Sequence, residues 1–265
     1  MRLRFQCVLL ACLGLIPPSI CRASETFGGA QPQIVAHRGA MAERPECTLA
    51  ALHRAIEVGA DAVEIDVRTS KDGVLFLLHD ATLERTTDAA GEASARTIGE
   101  LQKLDAGASF DRAYRGERIP TLADALELCR GRIDVLLDLK EEGETYAKAV
   151  AHDVQTHGDP AGTIVGARSV EQVRLFRRLL PRSRQLGFIA DPKSIEAFVE
   201  AGVETIRLWP RWLTAADGVP ILDRVRKTGV KLQLNGATGT PQEILPLLRH
   251  SPDALLVDDP ATLKA

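Results

Sequence analysis

Clusters of lysine and arginine are missing from this chain. Its 33 basic and 36 acidic residues leave a formal net charge of −3 at pH 7. Binding nucleic acid requires a concentrated positive surface, so no nucleic-acid partner is expected. Cysteine is scarce as well: there are five in 265 residues, and Cys7, Cys12 and Cys21 all fall near the start. Cys47 and Cys129 allow one bridge and force none, which excludes a disulfide scaffold. The apolar stretch from Phe5 to Ile16 is too short to span a bilayer. No stable membrane span is therefore expected in the mature protein. Internal repeats, low-complexity tracts and glycine-rich dinucleotide turns are also lacking.

What is present begins with a leader. Arg2 and Arg4 precede the Phe5–Ile16 stretch, Pro17 and Pro18 break it, and Cys21-Arg22-Ala23 places small residues at −3 and −1. That layout predicts a signal peptide over residues 1–23 and an exported protein, periplasmic or secreted. A lipoprotein anchor on Cys21 is the rival reading, and Pro18 and Ile20 stand where it would want small residues. Removing residues 1–23 removes three arginines and no acid, which takes the formal charge from −3 to −6. Residues 24–265 are long enough for one large domain with a sizeable core.

Along that domain, short apolar strands alternate with amphipathic helices. Strands are expected at 33–36, 61–67, 133–139, 163–166, 185–189, 204–208, 231–234 and 254–257, with helices such as 48–58, 121–130, 169–180, 192–201 and 218–228 between them. Thr48 and Thr121 suit helix N-caps. Eight strand–helix units in this length imply an α/β protein of the (β/α)₈ TIM-barrel class. One stretch breaks the rhythm: an extra strand at 74–78 is followed by a chain without a barrel-type helix up to Pro120. It reads as a small insertion after the second strand, over about residues 81–119.

In a parallel barrel, chemistry gathers at the C-terminal ends of the strands. The first strand ends in His37-Arg38, inside "IVAHRGAMAERPECTL". Glu64 and Asp66 are two apart on the second strand, so both carboxylates face one side. Asp138 and Lys140 repeat that spacing on 133–139, and His79 follows the extra strand. Like charges in an apolar strand repel and lose hydration, so a cation should lie between them. Three carboxylates without cysteine or a histidine pair favour one hard divalent ion, Mg²⁺ or Ca²⁺. A buried ion-pair network with Arg38 and Lys140 would answer the same pattern. His37 and His79 suit a general acid–base pair, and Arg38 and Lys140 an anion clamp. Glu46 would orient Arg38 or a histidine, contribute to substrate binding, or serve the structure alone. Together these groups describe phosphodiester cleavage.

The same residues resemble the glycerophosphodiester phosphodiesterase family. The likeness runs through "AHRGAMAERPECTLAAL", "GADAVEIDVRTSKDGVLFLLHDATLERTT", "GERIPTLADAL" and "LLDLK" to the looser "DALLVDDP". It implies a (β/α)₈ barrel with an insertion after the second strand. It further implies His37 and His79 as catalytic pair, Glu64, Asp66 and Asp138 as metal ligands, and Arg38 and Lys140 as phosphate contacts. The implied reaction is hydrolysis of a glycerophosphodiester, a small molecule, to glycerol 3-phosphate and an alcohol. Departures from the family pattern are Cys47 for asparagine, Asp138 for glutamate, Ala167-Arg168 for Ser-Phe, and Leu232-Gln233-Leu234-Asn235 for Trp-Thr-Val-Asn. These alter the pocket wall and leave the core set in place.

Two other functions fit parts of the pattern. Trp209 and Trp212, after the sixth strand, would offer an acyl chain an apolar rim in a phospholipase D-like hydrolase of lysophospholipids. A non-catalytic phosphodiester-binding protein would keep the anion clamp, but it would have no use for both histidines and all three carboxylates.

Overall fold

Eight parallel strands close on themselves in a computed structural model that describes residues 31–214, 218–236 and 238–264. The expected leader over residues 1–23 lies outside the described residues. The barrel strands are β1 (Gln33–Ala36), β2 (Ala62–Thr69), β4 (Asp134–Leu139), β5 (Thr163–Ala167), β6 (Arg184–Gly187), β7 (Thr205–Leu208), β8 (Lys231–Asn235) and β9 (Ala254–Val257). Each pairs in parallel with its neighbours, and β1 closes the ring against both β9 and β2. The short β3 (Leu75–Leu77) turns back antiparallel along the upper part of β2, with Val67 opposite Leu77. This is the (β/α)₈ barrel that the strand rhythm predicts.

Helices α1 (Leu49–Glu57), α3 (Leu122–Cys129), α4 (Glu144–His157) and α5 (Val170–Leu179) pack outside the first half of the ring. Thr48 caps α1 by accepting from the Ala51 N–H, and Thr121 caps α3 by accepting from the Asp124 N–H. The second half carries α6 (Ile195–Ala201), α7 (Pro210–Leu213), α8 (Gly218–Thr228), α9 (Pro241–Leu248) and a five-residue α10 (Pro260–Lys264). Between β3 and α3, a small apolar cluster of Phe76, Leu78, Leu83, Leu101 and Ile119 gives the insertion its own core. Its only α-helix among the described residues is the single turn α2 (Ile98–Leu101). That explains why no helical period is legible there.

The strand period fixes what enters the barrel. Val63, Ile65, Val67, Val135, Leu137 and Leu139 face outward into the helix layer, and Ile206, Leu208, Leu232 and Leu234 do the same on the far side. Their alternates must point inward. Val35, Ala62, Leu136, Leu186, Phe188, Ala254 and Leu256 accordingly form a separate interior cluster. Continuing the same alternation toward the C-terminal ends brings His37, Glu64, Asp66, Asp138, Lys140, Arg168, Arg207, Asn235 and Asp258 to one mouth. The barrel floor is apolar and its rim is charged.

Candidate active site

The turn after β1 is the tightest part of the mouth. His37 N–H donates to the Val257 carbonyl, continuing the ladder, and the chain then bends through left-handed Arg38 and Gly39 at φ 53° and 84°. A Cβ on Gly39 would lie 2.6 Å from the Ala51 backbone and Cβ, so only glycine permits α1 to pack this close. Cys47 is left-handed too, at φ 57°. Asparagine tolerates that conformation better than other side chains with a Cβ, which accounts physically for the residue usual at this place. The buried Cys47 thiol donates to Asp66 over 3.5 Å. Burial, with Asp66, Glu46 and Glu64 nearby, pushes it well above the ordinary thiol range.

Glu64, Asp66 and Asp138 are buried, and one oxygen from each lies within 4.8 Å of the others. Their partners differ. Asp66 faces Lys140 Nζ at 2.7 Å and Arg38 Nε at 3.4 Å. Asp138 faces Lys140 Nζ at 2.8 Å and is also gripped by Arg168. Burial disfavours the charge on Asp138, but Lys140 and Arg168 outweigh it and hold the carboxyl below its usual range. Among the described residues, no lysine or arginine lies within ion-pair distance of Glu64. It accepts the Arg38 backbone N–H at 3.0 Å, and His37 Nε2 stands 4.0 Å away. Burial first, then Asp66, raises the Glu64 carboxyl to about 7. The ion-pair network is thus real for Asp66 and Asp138 and leaves Glu64 with only His37, at 4.0 Å.

That geometry fits a hard cation. Oxygens touching one Ca²⁺ at about 2.3–2.6 Å are separated by at most about 4.6–5.2 Å. The spread of the three carboxylates lies within that span, and a divalent charge would supply the partner that Glu64 lacks.

Both candidate catalytic histidines are tethered by Nδ1. His37 Nδ1 is 2.7 Å from Asp258 Oδ1, and His79 Nδ1 is 2.7 Å from Asp80 Oδ1. A carboxylate at Nδ1 fixes the tautomer that leaves Nε2 free to exchange a proton. Burial lowers the affinity of His37 for its proton, but the Asp258 hydrogen bond and the Glu64 charge more than offset this and raise its pKa above the ordinary value. The His79 carbonyl accepts from Arg68 Nη2 at 2.7 Å, which pins the chain beyond β3 to β2.

Glu46 does not face open solvent with a free oxygen. Arg38 Nη1 donates to its Oε1 at 2.9 Å, and Arg85 donates to both oxygens at 2.7 and 2.8 Å. Arg85 also holds Asp80, whose carboxyl falls to about 2 chiefly through that hydrogen bond. The insertion therefore reaches into the site through one arginine that links the two histidine-bearing loops. Two residues on this framework escaped sequence reasoning. Asp258 continues the inward alternation of β9 and was legible as such, whereas Arg85 lies in irregular chain that carries no period.

Trp209 and Trp212 are both half-buried. Arg207 and Arg211 guanidinium carbons lie 4.6 and 4.8 Å from the Trp209 ring centroid, and Trp212 packs on the helix-side core. Among the described residues, no helix is long and apolar enough to cross a membrane. His53, His152, His157 and His250 are distributed over outer helices and a loop, away from the mouth.

The model of the glycerophosphoryl diester phosphodiesterase family matches residues 37–184, from His37 to the first residue of β6. A glycerophosphodiester phosphodiesterase from Caldanaerobacter subterraneus subsp. tengcongensis is 30% identical over 241 residues, covering 87% of this chain and 95% of the relative. The crystal structure of glycerophosphodiester phosphodiesterase from Agrobacterium tumefaciens superposes with a TM-score of 0.75 at 29% identity, covering 88% of this chain and 99% of that one. An Oleispira antarctica phosphodiesterase, solved with the product sn-glycerol-3-phosphate, superposes at 0.78 with 26% identity, covering 88% and 95%. A closed barrel, its charged mouth and a family match that spans both histidines and all three carboxylates agree: this chain belongs to the glycerophosphoryl diester phosphodiesterase family, a family of phosphoric diester hydrolases.

Proposed function

We propose that the protein hydrolyses small glycerophosphodiesters to glycerol 3-phosphate and an alcohol, with His37 and His79 as the proton-transferring pair. One observation carries this reading. Two imidazoles on the same rim are each tied at Nδ1 to a carboxylate, with Nε2 left free, beside a buried three-carboxylate cluster. The product complex of the Oleispira antarctica relative supports the same direction of cleavage.

In this account Arg38 and Lys140 draw in the anionic diester, and Glu46 positions Arg38 instead of touching substrate. The attacking oxygen, from water or from the vicinal glycerol hydroxyl, bonds to phosphorus and gives its proton to one Nε2; on the hydroxyl route a water then opens the cyclic phosphate to glycerol 3-phosphate. The bond from phosphorus to the alcohol oxygen breaks, and the other Nε2 supplies the proton that the departing alcohol takes up. Glu64, Asp66 and Asp138 would hold a divalent ion, Mg²⁺ or Ca²⁺, whose chemistry is to neutralise charge on the phosphoryl oxygens. Asp258 and Asp80 keep the imidazoles in the useful tautomer throughout.

Turnover of glycerophosphocholine and lysophosphatidylcholine, each with and without chelator, tests the proposal. Chelator-sensitive release of choline from the soluble diester supports it. Release from the lysolipid alone would favour the phospholipase D-like activity, and release from neither would favour a binding protein. We also propose export of the mature domain, on the strength of the Arg2/Arg4 flank and the Cys21-Arg22-Ala23 site. Exported material that retains Met1, or carries diacylglycerol on Cys21, refutes cleavage near Ser24.

A further inference from the structure

Among the described residues, most charged groups at the mouth are paired. Glu46 is matched by Arg38 and Arg85, Asp66 by Lys140 and Arg38, and Asp138 by Lys140 and Arg168. Asp80 is matched by Arg85 and Asp258 by His37. Arg207 stands apart. It is only 7% exposed, its Nε is buried without a hydrogen-bond partner, and Asp138 and Glu64 act on it through space only.

The surroundings of Arg207 are built around it. Its guanidinium carbon lies 3.9 Å from the Phe188 ring centroid and 4.6 Å from that of Trp209, so the group is stacked between two aromatic faces. Arg168 approaches the same Phe188 ring at 5.3 Å. Phe188 can occupy the barrel there because Gly166 has no side chain: a Cβ on Gly166 would fall 2.3 Å from the ring. Gly166, Phe188 and Trp209 thus form a platform on which Arg207 rests, with Arg168 and Arg211 at its edges, and among the described residues no carboxylate pairs with Arg207. Stacking stabilises such a cation through the ring faces while leaving its in-plane donors unused.

The position in the ring indicates what those donors meet. Strand order places β7 four strands from β2, across the barrel from Glu64 and Asp66. Arg38 and Lys140, on the β1 and β4 side, already provide for the scissile phosphate. In a glycerophosphodiester the glycerol arm is uncharged, so any second negative charge belongs to the alcohol. We infer that Arg207, on its Phe188–Trp209 platform, is a specificity-determining residue that binds an anionic group on the leaving alcohol, so that diesters with a carboxylate- or phosphate-bearing alcohol are preferred. This rests on the proposed hydrolysis and deepens it.

The test uses three diesters of glycerol 3-phosphate, with 3-hydroxypropanoate, 1,3-propanediol and choline as the alcohol. They are anionic, neutral and cationic respectively, and the first two are closely matched in size. Turnover is followed as kcat/KM. Binding is measured by calorimetry on phosphonate analogues in which a methylene replaces the scissile bridging oxygen, so affinity is read without chemistry. The full-length wild type is expected to favour the anionic alcohol over the neutral one by about tenfold or more, as for a hydrogen bond to a charged partner. Arg207→Met should bring the two within about threefold by lowering the anionic value alone, and Arg207→Lys should keep part of the preference. Equal treatment of all three alcohols by wild type overturns the inference, as does an equal loss on every substrate in a folded Arg207→Met. Discrimination in binding without any turnover would uphold the anion subsite and refute the hydrolysis. Turnover without discrimination would do the reverse.

Discussion

Replacing Asp258 by asparagine removes one charge and almost no volume at a contact that is 221 residues apart in sequence. The His37 Nδ1 to Asp258 Oδ1 distance is 2.7 Å, and both side chains are about a quarter exposed, at 26% and 28%. Hydrogen bonds to charged groups contribute about 1.5–3 kcal/mol and neutral ones about 0.5–1.5 kcal/mol, so the substitution costs about 1–1.5 kcal/mol. If this stabilisation is expressed on the protonated imidazole in the transition state, kcat falls about 5- to 15-fold. Asp258→Ala loses the whole interaction and should fall further, by about 30-fold or more. The Asp258 bond helps raise the His37 pKa, so with His37 as the base of the pair the acid limb of the kcat/KM profile should move to lower pH in both variants. Stability follows the same sign. A histidine whose folded pKa is raised contributes stability that is fully present below its unfolded value near 6.5 and lost as pH climbs through the folded value. Thermal melts should therefore separate wild type from Asp258→Asn more at pH 5.5 than at pH 8.5. An Asp258→Ala enzyme within twofold of wild type, with an unmoved acid limb, would refute this role for the aspartate.

His37→Ala and His79→Ala should each lower kcat by roughly 100-fold or more while leaving the far-ultraviolet dichroism unchanged; near-normal turnover in either would remove that residue from the pair. Asp138→Ala should abolish activation when Mg²⁺ or Ca²⁺ is titrated into chelator-stripped enzyme, whereas Asp138→Glu should keep some activity with an altered Mg²⁺/Ca²⁺ ratio. Stripped wild type that stays fully active would contradict the three-carboxylate site. Cys47→Asn places a residue that tolerates φ 57° where a thiol now sits, and should raise Tm by about 1–4 °C; a fall in Tm would show that the buried thiol contact to Asp66 matters more than backbone strain.

Much of this molecule is legible in its sequence, because two periods coincide at the functional end. The inward alternation of β2 and β4 carries Ala62, Glu64 and Asp66 on one strand and Leu136 and Asp138 on the next, so apolar floor and charged rim are written in one register. The helix caps Thr48 and Thr121 are local and equally plain. What remains hidden is pairing across distance. Nothing near Asp258 in the sequence indicates that it holds His37, and Arg85 joins Glu46 to Asp80 from a segment with neither helical nor strand period. Arg207 reads as an ordinary charged residue in a short strand. That it has no ion-pair partner among the described residues emerges only when Phe188, Trp209 and the glycine-made space at 166 are brought together.

The most direct measurement is ³¹P NMR of glycerophosphoserine mixed with the purified protein and a divalent cation. The account predicts that the diester resonance is replaced by that of glycerol 3-phosphate with release of serine, and that His37→Ala and His79→Ala both slow the conversion. Phosphoserine as the phosphorus-bearing product, or a diester resonance that persists with wild type, would contradict it.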